Sequence, residues 1–374
     1  MPSPTDFNLS PYFDDFTESK KFHRVLFRPA FAVQARELTQ SQTILQNQIE
    51  KFGDHMFKQG SIVIPGGVAF DDKYYAVKLT SISSSNTLAQ FTTGTIITGG
   101  TSGVVAEIIN TAALSGSDPD TLYVKYEKTG TNNTSFVFSD GETITGTNSD
   151  SVALSAVVNT TATGSAAIGS AGTYYLNGFF VQADAETLIL DKYTNTPSYR
   201  IGYTVTESFV TPNDDSSLND NATGSSNVNA PGAHRFKILL TLTKKTLSST
   251  EDSNFFELLR VEDGKIKGQA RATEYNILEE TLARRTFDES GDYVLTNPEF
   301  DIREHLLSGT NRGINTSGNG GSEAKLAVGV SPFKAYVNGY EAEILSTTYV
   351  DVDKARDTDD ANNNKTRFNV KNFV

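Results

Sequence analysis

The chain has 374 residues, 37% apolar and 21% charged, which is long enough for two or three domains, each able to bury a core. Its net charge of −13 argues against broad electrostatic capture of nucleic acid, and the absence of Cys excludes disulfides, thiolate metal sites and Cys nucleophiles. No apolar run approaches the roughly 20 residues of a membrane span, and MPSPTDFNLSPYFDDF lacks a basic-then-apolar signal pattern, so assembly in a cytoplasm without membrane insertion is expected.

Gly (29) is plentiful, and Ser, Thr and Asn are abundant, as in strands with hydroxylic outer faces joined by many turns. The expected fold class is mainly β with one long N-terminal α-helix and one shorter helix, the strands forming several sandwich-like or barrel-like modules. The expected divisions are an extended arm (1–34), a helix or oligomerisation segment (35–60), a β-rich core (61–71 plus 171–374) and an inserted all-β domain (72–170).

The arm carries Pro2, Pro4, Pro11 and Pro29, which disfavour regular structure, while Tyr12, Phe13, Phe16, Phe22 and Phe27 need a surface to bury against. An arm draped over a neighbour and a self-packed cap both satisfy that pattern. Next comes ARELTQSQTILQNQIEKFGDHMF, residues 35–57. Spacings of 4 and 3 place Ala35, Leu38, Gln42, Leu45, Ile49, Phe52 and Met56 in one seam, the 3.5-residue period of a short coiled coil. Gln42 is polar where Leu would be more stable, the kind of substitution that fixes register and strand number. A single amphipathic helix packed on its own domain is the alternative.

SIVIPGGVAF predicts two strands about a Pro-Gly-Gly turn. Within 72–168 a weak repeat recurs at an offset of 47 residues: FTTGTIITGGTSGVVA (91–106) aligns on FSDGETITGTNSDSVA (138–153), with the strand TLYVKYEKTG between them. Two copies make a small inserted domain and not a solenoid. TYYLNGFFVQ and KAYVNGYEAEI carry the type I′ turn pairs Asn177-Gly178 and Asn338-Gly339. These hairpins are expected to share one sheet. RFKILLTLTKK and FFELLRVEDGKIKG, turning at Asp263-Gly264, add strands. EYNILEETLARRT (274–286) is the second helix, with Tyr275, Leu278 and Leu282 along one face. NRGINTSGNGGSEA (311–324) is a loop, and the ending DVDKARDTDDANNNKTRFNVKNFV passes from an acidic stretch into an alternating strand.

Candidate chemistry is sparse. GGTSG (99–103) superficially resembles a phosphate-cradling loop, yet the second repeat copy replaces two of its glycines with Thr147 and Asp150, which favours a plain β-turn. His23, His55, His234 and His305 have no ligand spacing. Asp214, Asp215, Asn219, Asp220 and Asn221 lack the twelve-position calcium pattern and read as a hydrogen-bonded loop. Asp351, Asp353, Asp357, Asp359 and Asp360 read as a solvated acidic segment. No carboxylate pair with aromatic sugar platforms stands out, and no GxSxG elbow is present. No catalytic residue, cofactor or metal is therefore assigned.

Three stretches, ARELTQSQTILQNQIEKFGDHMF, DDSSLNDNATGSSNVNAPGAHRFKI and LARRTFDESGDYVL, together resemble a family of virion structural proteins of contractile-tailed phages, in particular T4-like phages of cyanobacteria. That family carries a domain of unknown function and is placed at the baseplate or the base of the tail fibres. The resemblance covers most of 1–70 and 171–374, and 72–168 is similar to small β-modules of phage tail proteins. It implies location in the virion tail and no catalytic residues. Members of that family run on past the point that matches Val374, so residue 374 would be a domain boundary or the end of an ordered part.

The expected function is a structural tail component, a baseplate wedge or fibre-attachment protein, working by multivalent docking. Its partners would be further copies of itself, as a trimer before a dimer, and other tail, baseplate or fibre proteins. Leu38, Gln42, Leu45, Ile49, Phe52 and Met56 of the seam, with Tyr12, Phe13 and Phe16 of the arm, are the expected interface residues. Two alternatives are a receptor-binding fibre protein contacting host glycans through 72–168 and an envelope depolymerase.

Overall fold

The computed structural model describes residues 5–354 except 65, 132–133, 223, 250–252, 271–272 and 276. Pro2, Pro4, Asp357, Asp359, Asp360 and the strand expected at the chain's end lie outside the described residues. The chain divides into two compact units, 1–279 and 280–374, a division absent from the expected single core over 171–374. Among the described residues it is mainly β, with two α-helices and several sheets.

The first unit begins with α1 (Ala35–Met56), whose start is fixed by a capping box: Glu37 accepts the backbone N–H of Gln34 at 2.9 Å while the Gln34 side chain caps the third helical residue. Strand β1 (Ser61–Ile64) follows, then the long β2 (Gly67–Ile82). The next strands are β3 (Ile96–Gly99), β4 (Val105–Ala112), β5 (Thr121–Lys128), β6 (Thr143–Thr147) and the long β7 (Ala153–Ser170). All neighbours are antiparallel, in the order β7-β2-β5-β4-β3-β6, and β6 pairs back onto β7. The ring is therefore closed, a six-stranded barrel with no free edge.

The inserted domain is this barrel, and the 47-residue repeat is its internal symmetry. Thr98 pairs directly with Thr145, its own repeat equivalent, so a pseudo-twofold axis passes between β3 and β6. Phe91 and Phe138 are equally buried plugs, Ile97 and Ile144 fill the interior with Val77, Leu122 and Val158, and Gly94 and Gly141 both hold positive φ at the matching turn. The barrel is not a bead on a linker. Strands β2 and β7 run from it without a break into the sheet of the core, so the expected boundary at 71/72 falls inside a strand.

The core continues with β8 (Gly172–Leu176), β9 (Phe179–Ala183), β10 (Glu186–Asp191), β11 (Tyr199–Val210), a small pair β12 (Asn219–Asp220) and β13 (Asn227–Pro231), then β14 (Arg235–Thr246), β15 (Phe255–Glu262) and β16 (Lys265–Gln269). The sheet β14-β11-β15-β16 packs over β1-β8-β9 and over the ends of β2, β7 and β10. Ile62, Val68, Leu176 and Leu190 meet Ile201, Tyr203, Leu242 and Leu259 there in one apolar cluster. A barrel and a sandwich-like layer thus sit in one unit.

Helix α2 (Ile277–Ser290) begins just before the second unit, which contains β17 (Tyr293–Val294), β18 (Phe300–Glu304), β19 (Lys325–Val330), β20 (Phe333–Val337), β21 (Tyr340–Ile344) and β22 (Thr348–Asp353). The two Asn-Gly hairpins do not share a sheet, contrary to expectation. One lies in β1-β8-β9 and the other in β17-β20-β21. Asn-Gly specifies the local turn and leaves open which strand pairs with the hairpin's edge.

The separation has a cause in the chain's order of elements. Sheets β1-β8-β9 and β2-β7-β10 follow α1 as β17-β20-β21 and β18-β19-β22 follow α2, with the same strand order and direction. Pairing registers superpose the copies: Ser61 corresponds to Tyr293, Val68 to Phe300, Tyr175 to Tyr336 and Glu186 to Thr348. The shared sequence is thin, namely Tyr-x-Asn-Gly at 175–178 and 336–339 and Asp-Lys at 191–192 and 353–354. One supersecondary unit is present twice, with the barrel inserted in the first copy only.

Candidate interaction surface

The seam residues and the residues between them divide α1 into two faces, in the opposite sense to an ordinary surface helix. Ile44 and Gly53 are buried, and the stripe beside them is polar. Gly53 is needed for the close approach: a Cβ there would stand 2.3 Å from a ring carbon of Tyr175. The Tyr175 hydroxyl reaches the Asp54 carboxylate at 2.8 Å and donates to the Glu50 carbonyl at 2.9 Å, and Gln46 donates to the Gly178 carbonyl in the Asn-Gly turn. Helix and hairpin are thereby locked by polar contacts.

The arm covers the flank of α1. Asp14 is buried and accepts the Thr43 hydroxyl, Gln40 donates to Asp15, and Glu18 pairs with Lys51. Burial, then the neighbouring Asp54 carboxylate, raises the pKa of Glu50 above its ordinary 4.5. Asp14 and Glu50 with Asn177 line an open groove between arm and helix.

The seam points the other way. Leu38, Leu45, Ile49 and Phe52 are 44–65% exposed, Ala35 and Gln42 are also exposed, and Met56 is half-buried. Six of the seven 4–3 positions face solvent. The expected arm residues part company. Tyr12 lies on its own chain, its ring 5.0 Å from that of Phe209 and its hydroxyl 2.8 Å from His234 Nδ1. Phe16 is half-buried against the groove, and Phe13 is exposed at φ 49°. Residues 5–16 thus form the self-packed cap of the two readings, whereas Phe22, Leu26, Phe27, Phe31 and Val33 lie exposed just before the helix. Leu26, Phe31 and Val33 carry no motif or periodic signal in the sequence, where a covered apolar residue of the arm looks the same as an uncovered one. Helix α2 starts at Ile277, not at the expected 274; it buries Ala283 and exposes Leu278 and Leu282, while Tyr275, expected on the same face, lies ahead of the helix in a bridge with Phe57, its ring stacked on that of Phe57.

The remaining motifs are structural. In GGTSG, the backbone N–H groups of Thr101 and Ser102 donate to the buried Glu142 carboxylate at 3.0 and 2.8 Å, which also accepts the Ser102 hydroxyl and the Ser139 N–H. An internal anion fills the nest a phosphate would use. Burial acts to raise the Glu142 pKa, but these hydrogen bonds together outweigh it and hold the carboxyl low. Asp214, Asp215 and Asp220 accept N–H groups of Thr211, Ser217 and Ala222 within their own loop. His305 is buried, accepting from the Ser322 N–H at 2.9 Å and lying 3.2 Å from Asp351. Among the described residues, no three His, Cys, Asp or Glu side chains come together as a metal site, and no helix is long and apolar enough to cross a membrane.

The model of the family described as a domain of unknown function, DUF4815, matches residues 10–106 and 111–372. It therefore takes in both copies of the helix-and-hairpin unit and almost all of the barrel. No curated protein and no solved structure matches the chain. The chain belongs to the DUF4815 family.

Proposed function

We propose that this member of the DUF4815 family is a structural component of a phage tail, a baseplate wedge or fibre-attachment protein that acts by multivalent protein–protein assembly. The observation carrying this reading is the orientation of α1. Its apolar 4–3 seam faces solvent while its polar stripe is tied to its own hairpin and arm. An apolar stripe left outside on a helix that is already anchored favours association, and the 3.5-residue spacing favours seams meeting as a coiled coil. Leu38, Gln42, Leu45, Ile49, Phe52 and Met56 would make that contact, in a trimer before a dimer, and exposed Phe13 would extend it. Tail, baseplate or fibre proteins are the other partners, and the particle's tail is the location. The resemblance of three stretches to phage virion proteins supports the setting.

Solution mass tests the reading. The unaltered chain is expected as an oligomer of 40.6 kDa subunits, and Leu45→Asp with Ile49→Asp is expected to give a folded monomer. A monomer for both sinks the proposal. A second reading, glycan reception by the barrel, is favoured by Phe136, an exposed aromatic on a loop of the barrel. Retention on host cells that persists after Phe136→Ala would remove it.

A further inference from the structure

The two copies of the helix-and-hairpin unit have the same apolar face and differ in what lies on it. In the first copy Ile62, Val68, Leu176 and Leu190 are at most 4% exposed, and Phe70 and Leu188 are half-buried beside them. Their cover is the sheet β14-β11-β15-β16, built by the chain that follows β10. The registers carry Ile62, Val68, Leu176, Phe70 and Leu188 onto Val294, Phe300, Val337, Ile302 and Val350 of the second copy, and Leu190, which lies in a bulge of β10, matches Val352 by its place in the sequence. All six are again apolar. All six are 44–67% exposed.

A face that stays apolar in both copies, against divergence at most other positions, is a face with an occupant. The chain itself indicates which one. In the first copy the cover begins with β11, the first strand after the Asp191-Lys192 pair that ends β10. In the second copy the matching pair is Asp353-Lys354, and the sequence beyond it contains TRFNVKNFV, residues 366–374. Arg200-Ile201-Gly202-Tyr203 of β11 has its counterpart in Arg367-Phe368-Asn369-Val370, with apolar residues alternating in the same phase. Ile201 and Tyr203 are the β11 side chains buried on the first copy's face.

We infer that the bare face of the second copy is a docking site for segment 366–374 of the same chain, with Phe368 and Val370 entering where Ile201 and Tyr203 enter in the first copy.

The chain has no Cys, which makes the test clean. Ile302→Cys with Phe368→Cys, in the full chain under mild oxidant, is expected to close a disulfide within one chain at a rate independent of protein concentration. The control pair Asp301→Cys with Phe368→Cys uses the neighbouring residue on β18, which points to the other side of the sheet. It is expected to close at least about tenfold more slowly, because its effective concentration is lower. Equal rates for the two pairs, or no disulfide in either, overturn the inference. A disulfide between two chains also overturns it and makes a second copy the occupant. Independently, deleting 366–374 is expected to raise binding of an apolar dye several-fold, and unchanged dye binding overturns the docking.

Discussion

The two copies of the helix-and-hairpin unit are built to one plan and surrounded differently, and the contrast separates what the plan needs from what its setting adds. Both need the Asn-Gly turn against a helix: Gly178 sits against Glu50 of α1 and Gly339 against Ala283 of α2. Both use an edge strand, β1 or β17, on the first hairpin strand. Among the described residues, the first copy alone holds a barrel between its second and third strands and a layer of sheet across its apolar face. Local turn chemistry is thus fixed by the plan. Burial, and the stability it confers, is supplied by whatever chain lies across it.

The largest expected break in the comparison comes from truncating equivalent apolar residues. Leu190→Ala removes a side chain from a closed core and is expected to cost about 2–5 kcal/mol in a denaturant titration. At the sequence-equivalent position, in a chain shortened by residues 366–374, Val352→Ala is expected to cost about 1 kcal/mol or less, since half-exposed methyls contribute little transfer energy. Equal costs for Leu190→Ala and Val352→Ala in that shortened chain would show that something other than the docked segment covers the second face.

Next in size are the turns. Gly178 and Gly339 hold φ of +85° and +80°, so Ala at either is strained by about 1–2 kcal/mol. At Gly178 the new Cβ would meet the Glu50 side chain, which can move aside, whereas at Gly339 it would stand 1.8 Å from the Ala283 carbonyl oxygen, held in the helix backbone. Gly339→Ala is therefore expected to be the more destabilising, and thermal unfolding of the two variants checks the order.

The smallest effect concerns Glu50, whose side chain lies beside Gly178, whereas the backbone of Ala283 lies beside Gly339. Folding raises the pKa of Glu50, so its charge weakens the fold at neutral pH, and this penalty fades as pH falls through the raised value toward 4.5. Glu50→Gln is expected to stabilise the protein at pH 7 and to leave it unchanged near pH 4. A gain that grows on acidification would contradict the assigned cause.

Much of the local structure was legible. The seam of residues 35–57 gave α1 to within a residue, because a capped, Gly-free run of good helix formers leaves little choice until Gly53. Asn177-Gly178 and Asn338-Gly339 gave both hairpins, and the 47-residue offset gave the barrel's two halves. Which hairpin joins which sheet was not legible. That depends on β1 and β17, short strands whose pairing is decided by distant partners. The duplication was hidden because the barrel separates β2 from β7, and few residues beyond Tyr-x-Asn-Gly survive in both copies. At the candidate surface the seam was readable as a pattern but its direction was not. Tyr12 and Leu26 look alike as apolar arm residues, and only His234 and Phe209 distinguish the capped one.

The continuity of β2 and β7 through the barrel bears on the order in which the protein folds. These strands are neighbours in the core sheet but are separated in sequence by everything from 83 to 152. Left unstructured, that segment would oppose the pairing of β2 with β7 only about 1 kcal/mol more than the shorter 305–324 segment opposes that of β18 with β19, since closure entropy grows with the logarithm of length. The kinetic difference is larger. Once the six strands have closed, the stems of β2 and β7 leave the barrel already side by side, and a long-range pairing becomes a local one. The inserted module then works as a clasp, holding the two strands in register while the rest of the core sheet forms.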